Sequence, residues 1–273
     1  MSKQINIALV GCGGVAANYR SLYTKIPGAK LALLIDVNEE LLHKVANELN
    51  VDKLSTDFSD CLKSNIDVVD ISTPNYLHEK HAVAALEANK HVILQKPIAP
   101  DIKQAENIVE AAKKVDVLAG MYMNMRDNPV YYDLKEIINK NKLGSISSVY
   151  CRNAHKGGLT MPPNNWHSLK ESTGGGALIQ LGIHNINILQ WLLDSRITSV
   201  MGYSKNMMCS NIGGDDVTNA VCEYENGVLG TIESAYCAEG NLISIQGTKG
   251  FITIHRKRPS LEMKLEEEYK GEI

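Results

Sequence analysis

The stretch Ile5-Asn6-Ile7-Ala8-Leu9-Val10-Gly11-Cys12-Gly13-Gly14-Val15-Ala16, with Leu33-Leu34-Ile35-Asp36-Val37-Asn38 after it, decides the fold. An apolar run of strand length, a glycine turn, a helix expected from Val15 to Lys25 and a second apolar run ending in a carboxylate make the layout of a dinucleotide-binding βαβ unit. Gly11 permits the tight turn, and Gly13 lets the backbone approach a pyrophosphate. Ala16 is small enough for close packing of helix on strand. The helix N-terminus, around Cys12, Gly14 and Val15, offers unpaired N–H groups and a positive dipole end to phosphates. Asp36 stands where a carboxylate accepts hydrogen bonds from the adenine-ribose hydroxyls. Val37 and Asn38 supply no cation for a 2′-phosphate, so NAD is favoured over NADP. The competing reading is a glycine-rich turn in some other α/β protein.

A chain of 273 residues with 44% apolar content is long enough for two domains with full cores. The formal charge of -3 and the absence of a long basic run argue against nucleic acid as a partner. Six cysteines, Cys12, Cys61, Cys151, Cys209, Cys222 and Cys237, form no CxxC pair, which points to free thiols in a reducing compartment. A first strand beginning at Ile5 leaves no room for a signal peptide, and no apolar run approaches membrane-spanning length. The expectation is a cytoplasmic protein without a membrane partner. A metal site needs three or four ligands, and Cys151 with His155 supplies only two, so no metal is expected.

Along residues 1–122, strand patterns at Ile5–Val10, Leu31–Ile35, Val68–Ser72, His91–Gln95 and Val117–Tyr122 alternate with helical ones at Val15–Lys25, Glu39–Asn50, Tyr76–Ala88 and Ile102–Lys114. That alternation implies a parallel sheet covered on both faces. From 123 to 273 the order changes: a helix near Val130–Asn139, a strand at Ile146–Ala154, a loop rich in Gly, Pro and Asn, a long helix over Gly175–Leu193, then strands in succession. Val217–Tyr224 and Val228–Ala235 flank Asn226-Gly227, a strong hairpin signal, and Gly247-Thr248-Lys249-Gly250 suggests another turn. The fold class is therefore α/β in the first part, a Rossmann dinucleotide-binding domain, with a second α+β domain on a mainly antiparallel open sheet.

Two further features carry chemistry. Lys96 follows a parallel strand's carboxyl end, where open α/β sheets place their ligands. Beside NAD⁺ its ammonium is disfavoured, which suits a proton relay. On the long helix, Gln180, His184, Asn187 and Trp191 recur at spacings of four, three and four, a polar stripe on an otherwise apolar helix. A lone histidine there would ordinarily be a satisfied core residue.

Several motifs now stand in one order: Gly11-Cys12-Gly13-Gly14-Val15-Ala16, Ser72-Thr73-Pro74-Asn75-Tyr76-Leu77-His78, Lys90-His91-Val92-Ile93-Leu94-Gln95-Lys96-Pro97, Gly174-Gly175-Gly176 running to Gly182-Ile183-His184, and Glu225-Asn226-Gly227 with Gly230-Thr231. In this the chain resembles the Gfo/Idh/MocA family of oxidoreductases, over about residues 5 to 255. The resemblance implies a nicotinamide site between two domains, with Ser72, Thr73, Pro74, Asn75, His78, Gln95 and Lys96 at the nicotinamide end. It implies hydride transfer to or from a hydroxyl-bearing carbon of a sugar or cyclitol, with Lys96 and His184 as the acid/base pair and Gln180 beside them. It places Asn124, Arg126, Trp166 and His167 with His184 at the substrate. It also implies a homo-oligomer, dimer or tetramer, formed through the C-terminal sheet.

The chain departs from that pattern at three acids. The family's Glu-Lys-Pro reads Gln95-Lys96-Pro97, and the acids four before and three after the histidine are Gln180 and Asn187. An amide hydrogen-bonds but cannot take a proton or balance a positive charge. Three readings follow: a dehydrogenase or reductase acting on an anionic substrate that carboxylates would repel; an NAD-assisted elimination and hydrolysis, or an imine reduction, on the same scaffold; and a cofactor-binding regulatory protein without turnover. Arg126 reads equally as partner of a substrate anion or as a domain-interface salt bridge. The chain stops at Ile273 after the charged run Glu266-Glu267-Glu268-Tyr269-Lys270, short for the resemblance. The second domain is therefore either trimmed or completed by another subunit.

Overall fold

The computed structural model describes residues 4–63, 65–255 and 260–265; the charged run from Glu266 to Lys270 lies outside them. The chain divides into two compact units, Met1–Tyr122 and Met123–Ile273.

The first unit follows the order β1 (Ile5–Val10), β2 (Ala29–Ile35), α1 (Glu39–Leu49), β3 (Leu54–Ser55), α2 (Ser59–Lys63), β4 (Val68–Ile71), α3 (His78–Glu87), β5 (His91–Gln95), α4 (Ile102–Lys113) and β6 (Ala119–Tyr122). The six strands run parallel in the order β3-β2-β1-β4-β5-β6. Strand order therefore reverses between β1 and β4. The loops leaving the carboxyl ends of these two strands flank the crevice in which such sheets bind ligands. Val10, Leu33, Ile35, Val69, Ile71 and Leu94 are buried in one core and the alternating Ile7, Leu9, Leu31 and Leu34 in a second, so both faces of this sheet are covered, as parallel strands require. The α1 helix starts where Asn38 accepts from the Leu41 N–H at 2.9 Å, and it stops at Asn50 in the left-handed region.

The expected α-helix over Val15–Lys25 is corrected. This segment forms two short 3₁₀ turns, Gly14–Asn18 and Arg20–Lys25, broken at Tyr19. Beneath them lies the buried Asp70: Tyr19, at the break, and Tyr23 both turn inward to it. No long helix dipole therefore points at the glycine loop from this segment. The sixth strand begins at Ala119, two residues later than expected.

The second unit contains α5 (Pro129–Asn139), β7 (Ile146–Ala154), α6 (Lys170–Thr173), α7 (Ile183–Leu193), β8 (Ile197–Lys205), β9 (Val217–Tyr224), β10 (Leu229–Ala235), β11 (Gly240–Gly247), β12 (Gly250–His255) and β13 (Ser260–Leu265). Its seven-stranded sheet runs β13-β12-β11-β7-β10-β9-β8, antiparallel except between β7 and β10. Gly227, at φ 81°, closes the Asn-Gly hairpin between β9 and β10. Tyr131, Leu134 and Ile137 of α5 and Ile188, Leu189 and Leu192 of α7 pack on Val149, Cys151, Ile232, Ile243 and Ile245 of the sheet.

The long helix expected from Gly175 is also corrected. Gly174, Gly175 and Gly176 lie in bends, and Leu178–Gly182 makes a π turn before α7 begins. A Cβ on Gly176 would lie 1.7 Å from the Asp215 carbonyl oxygen, so the glycines exist for backbone-to-backbone packing on Gly214 and Asp215. All six cysteines are free thiols, five of them buried.

Candidate active site

In the first unit the site grows from the glycine loop. Gly11 sits at φ 88°, and a Cβ there would fall 2.6 Å from the Ser72 carbonyl oxygen, so the loop after β1 is pressed against the end of β4. Asp36 holds the loop from the other side. Its Oδ2 accepts from the Cys12 N–H at 2.7 Å and its Oδ1 from the Asn38 N–H at 2.9 Å. Each oxygen keeps a further lone pair, and Asp36 is only half-buried, so it can still accept from a diol. A Cβ on Gly14 would meet nothing within 4 Å, which leaves the outer face of the loop open to a pyrophosphate. These residues fit a dinucleotide. Burial pushes the Cys12 thiol up to about 12, so this residue contributes its backbone and not its sulfur. Sequence reasoning missed Arg20, which donates to the Cys12 carbonyl oxygen and pairs with Glu48 at 2.8 Å, tying the loop to α1.

The turn Ser72-Thr73-Pro74-Asn75 is braced from below. The His78 Nδ1 and Nε2 lie 2.8 and 2.9 Å from the carbonyl oxygens of Pro97 and Thr73, and the ring is completely buried. It therefore links the turn after β4 to the turn after β5. Burial holds His78 below the usual histidine range, and the neutral ring, with one N–H, donates to one of these two carbonyls. His81 sits 3.2 Å from Thr73 Oγ1 and stacks on Phe58 at 4.0 Å, with burial lowering it to about 4.

Gln95 closes β5, buried, with its Nε2 lacking a hydrogen-bond partner among the described residues. An orphaned buried donor at a strand's carboxyl end is what a ligand carbonyl would satisfy. Lys96 follows, half-buried and joined to Pro97 by a cis peptide; burial lowers its ammonium to about 8, which puts a proton donor and acceptor within reach of neutral pH.

In the second unit the π turn buries Gln180, while His184, Asn187 and Trp191 follow half-buried along α7. Asp215 fastens the entrance: its Oδ1 accepts from the Gly176 N–H and its Oδ2 from the Leu178 N–H, each at 2.9 Å, and its carbonyl oxygen accepts from Ala177 at 2.7 Å. Lys135 fastens the exit, donating to the Trp191 and Leu192 carbonyl oxygens and pairing with Asp194 at 2.6 Å. Trp191 packs edge-on against Tyr132 and lies under Lys135, so the expected polar stripe ends in helix packing.

Arg126 Nε donates to Asn187 Oδ1 at 2.9 Å, one turn from His184. Its partner is an amide, and it makes no ion pair among the described residues, so the guanidinium keeps its full charge. Asn124 is exposed. The rings of Trp166 and His167 meet at 3.7 Å, tilted by 30°, on a short turn where Asn165 Oδ1 accepts from the His167 N–H and meets its Nδ1, each at 3.0 Å.

Two family models match, an NAD-binding Rossmann oxidoreductase model over residues 5–123 and a Gfo/Idh/MocA C-terminal domain model over residues 131–253. The chain belongs to the Gfo/Idh/MocA oxidoreductase family. It is 29% identical over 266 residues to scyllo-inositol 2-dehydrogenase (NAD(+)) of Bacillus subtilis, covering 93% of this chain and 75% of the relative. It is 30% identical over 260 residues to 2,7-anhydro-N-acetylneuraminate hydratase of Escherichia coli, covering 92% and 67%. The WlbA dehydrogenase from Bordetella pertussis, solved with NADH and UDP-GlcNAcA, shares the fold with a TM-score of 0.87 at 24% identity, covering 99% of this chain and 80% of that one. Among the described residues no helix is long and apolar enough to cross a membrane.

Proposed function

We propose that the chain is an NAD-dependent oxidoreductase that moves hydride between the nicotinamide and a hydroxyl-bearing or keto carbon of an anionic sugar derivative or cyclitol. The observation that carries this is Asp36 fixed on the Cys12 N–H: a carboxylate held where a 2′-phosphate would be repelled, beside a loop open at Gly14. A bound nicotinamide supplies the hydride acceptor or donor. Lys96, lowered by burial to about 8, takes the hydroxyl proton during oxidation and returns it during reduction. His184 serves as general acid/base.

The acids that would repel a substrate anion are replaced by Gln95, Gln180 and Asn187, and Arg126 keeps an uncompensated charge beside Asn187. These features support an anionic substrate, bound by Arg126. Asn124, Trp166 and His167 complete the substrate set. The exposed apolar residues Val200, Met201 and Tyr203 of β8, with Val221 and Leu229, support a homo-oligomer formed through this sheet. A cytoplasmic location accords with six free thiols.

The amides also favour a second reading, an NAD-assisted reaction without net oxidation, and one relative is named a hydratase. The test is incubation with NAD and a panel of sugar phosphates, nucleotide sugars and cyclitols while the absorbance of reduced nicotinamide is followed. Turnover is expected in the wild type and lost in Lys96→Ala and in His184→Ala. Turnover that survives both substitutions refutes the assignment, and product without absorbance change moves the conclusion to the second reading.

A further inference from the structure

The first unit holds a carboxylate that the proposed chemistry does not use. Asp70 interrupts the apolar run Val68-Val69-Asp70-Ile71 of β4, and no part of it reaches solvent. Its flanking residues in the sheet are Leu9 on β1 and Ile93 on β5, neither of them polar. From the 3₁₀ turns above, the Tyr19 hydroxyl donates to Oδ1 at 3.0 Å and the Tyr23 hydroxyl to Oδ2 at 2.8 Å. The Tyr19 hydroxyl also lies 2.6 Å from Ser72 Oγ, with Gln95 beside it, and its ring packs on Tyr122 of β6 at 4.8 Å. Tyr19 and Tyr23 are thus the titratable groups facing this carboxylate, with Tyr122 behind them, and no cation does so among the described residues. Burial accordingly raises Asp70 to about 6.

Counting protons along this line fixes its direction. Tyr19 has one proton and three neighbours, Asp70, Ser72 and Gln95, and the Gln95 amide faces it as a donor in either state, which leaves the one proton to be shared between Asp70 and Ser72. With Asp70 ionised, Tyr19 donates to Oδ1. The 2.6 Å contact is then made by Ser72 donating to Tyr19, and Ser72 keeps its lone pairs for whatever lies on its exposed side. With Asp70 protonated, the proton belongs on Oδ1. Placed on Oδ2 it would leave the Tyr23 hydroxyl without an acceptor among the described residues, whereas on Oδ1 it lets Tyr23 still donate to Oδ2. Asp70 then donates to Tyr19, Tyr19 donates to Ser72, and the Ser72 proton turns outward.

We propose that Asp70 and Tyr19 are positioning residues that set the hydrogen-bond polarity of Ser72 toward the dinucleotide, Ser72 accepting while Asp70 is ionised and donating once Asp70 is protonated. This rests on the reading of Ser72 as a nicotinamide-end residue, supported by its contact with Gly11. The ionised line is the binding form, because a nicotinamide carboxamide brings an N–H₂ that needs an acceptor.

The experiment is calorimetric titration with NAD between pH 5 and pH 7.5 on wild type, Tyr19→Phe, Asp70→Asn and Ser72→Ala, with carbon-13 NMR of labelled aspartate in the free protein. Wild-type affinity is expected to fall about fivefold as pH drops through about 6, the worth of one neutral hydrogen bond. Ser72→Ala should be weaker at pH 7.5 by a similar factor. All three variants should lack the wild-type fall, and any titration of NAD itself is common to wild type and variants and cancels in the comparison. The Asp70 carboxyl should titrate near 6 in the free wild type and shift in Tyr19→Phe. Absence of NAD binding at every pH overturns the cofactor reading and this proposal with it. Binding that weakens in Ser72→Ala, but is flat with pH in wild type or keeps its pH dependence in Tyr19→Phe, overturns the proposal alone. The wild-type profile is decisive even where a variant fails to fold.

Discussion

The two units hold their functional residues by different means. In the first, the glycine loop and the turn after β4 would present backbone to a dinucleotide, and side chains brace that backbone: Asp36 on the Cys12 N–H, Arg20 on the Cys12 carbonyl, His78 between the Thr73 and Pro97 carbonyls. In the second, the proposed groups Gln180 and His184 are side chains of the π turn and α7, and that segment is gripped at its ends through Asp215 and Lys135. Backbone sites tolerate little change in the loop but much in the surrounding chemistry. Side-chain sites on a held helix can exchange acids for amides with the helix still in place.

The sharpest way to break this comparison is to remove the proton carriers. Lys96→Ala and His184→Ala should each lower turnover by about 10²–10⁴-fold while leaving thermal unfolding unchanged, the usual range for a general acid or base. A parallel loss of stability in a calorimetric scan would make either residue a prop. The pH profile sharpens the point. Oxidation needs the neutral Lys96 amine, so kcat/KM for oxidation should rise through about pH 8 and then level. Reduction needs the ammonium, and its profile should fall above the same value.

Asp215→Ala should behave in the opposite sense. It unseats two N–H donors at the entrance to the π turn and should cost about 1–3 kcal/mol in denaturant unfolding. Asp216 adds a pH dependence to the same unit. Its burial would raise the carboxyl, but the N–H groups of Met207, Met208 and Cys209 outweigh that and hold it below the ordinary range. Stability from Asp216 is therefore full above the unfolded carboxyl value of about 4 and is lost as pH falls through its lowered value. Denaturant midpoints measured from pH 6 down to pH 3 should show this loss in wild type and not in Asp216→Asn.

The smallest effect is expected at Arg126. Arg126→Gln should weaken an anionic substrate about tenfold in KM, ~1.4 kcal/mol, with kcat and NAD affinity unchanged. Equal loss on a neutral cyclitol would remove the argument for an anion.

Much of this was legible in the residues. The strand bounds at Ile5–Val10, His91–Gln95, Ile146–Ala154 and Val217–Tyr224 match the structure because burial pattern and strand are locally coupled there. The glycine turn was equally plain, since few backbones besides a positive φ require that spacing. The 3₁₀ turns were not, because Tyr19, at their break, and Tyr23 turn to Asp70, about fifty residues away. An acid inside Val68-Val69-Asp70-Ile71 was the available signal. The three glycines before α7 read as a helix entrance, and only contact with Gly214 and Asp215 shows them as a packing joint. Strand β8 had no readable bounds because its residues from Thr198 to Lys205 are all exposed and carry no inside-outside alternation.

The central claim is that the Asp36-backed glycine loop selects NAD. Calorimetric titration of wild type with NADH and NADPH tests it most directly. The account predicts NADH to bind at least tenfold tighter, ~1.4 kcal/mol, with Asp36→Ala reducing NADH affinity and narrowing that gap. NADPH binding as tightly as NADH, or tighter, would contradict it.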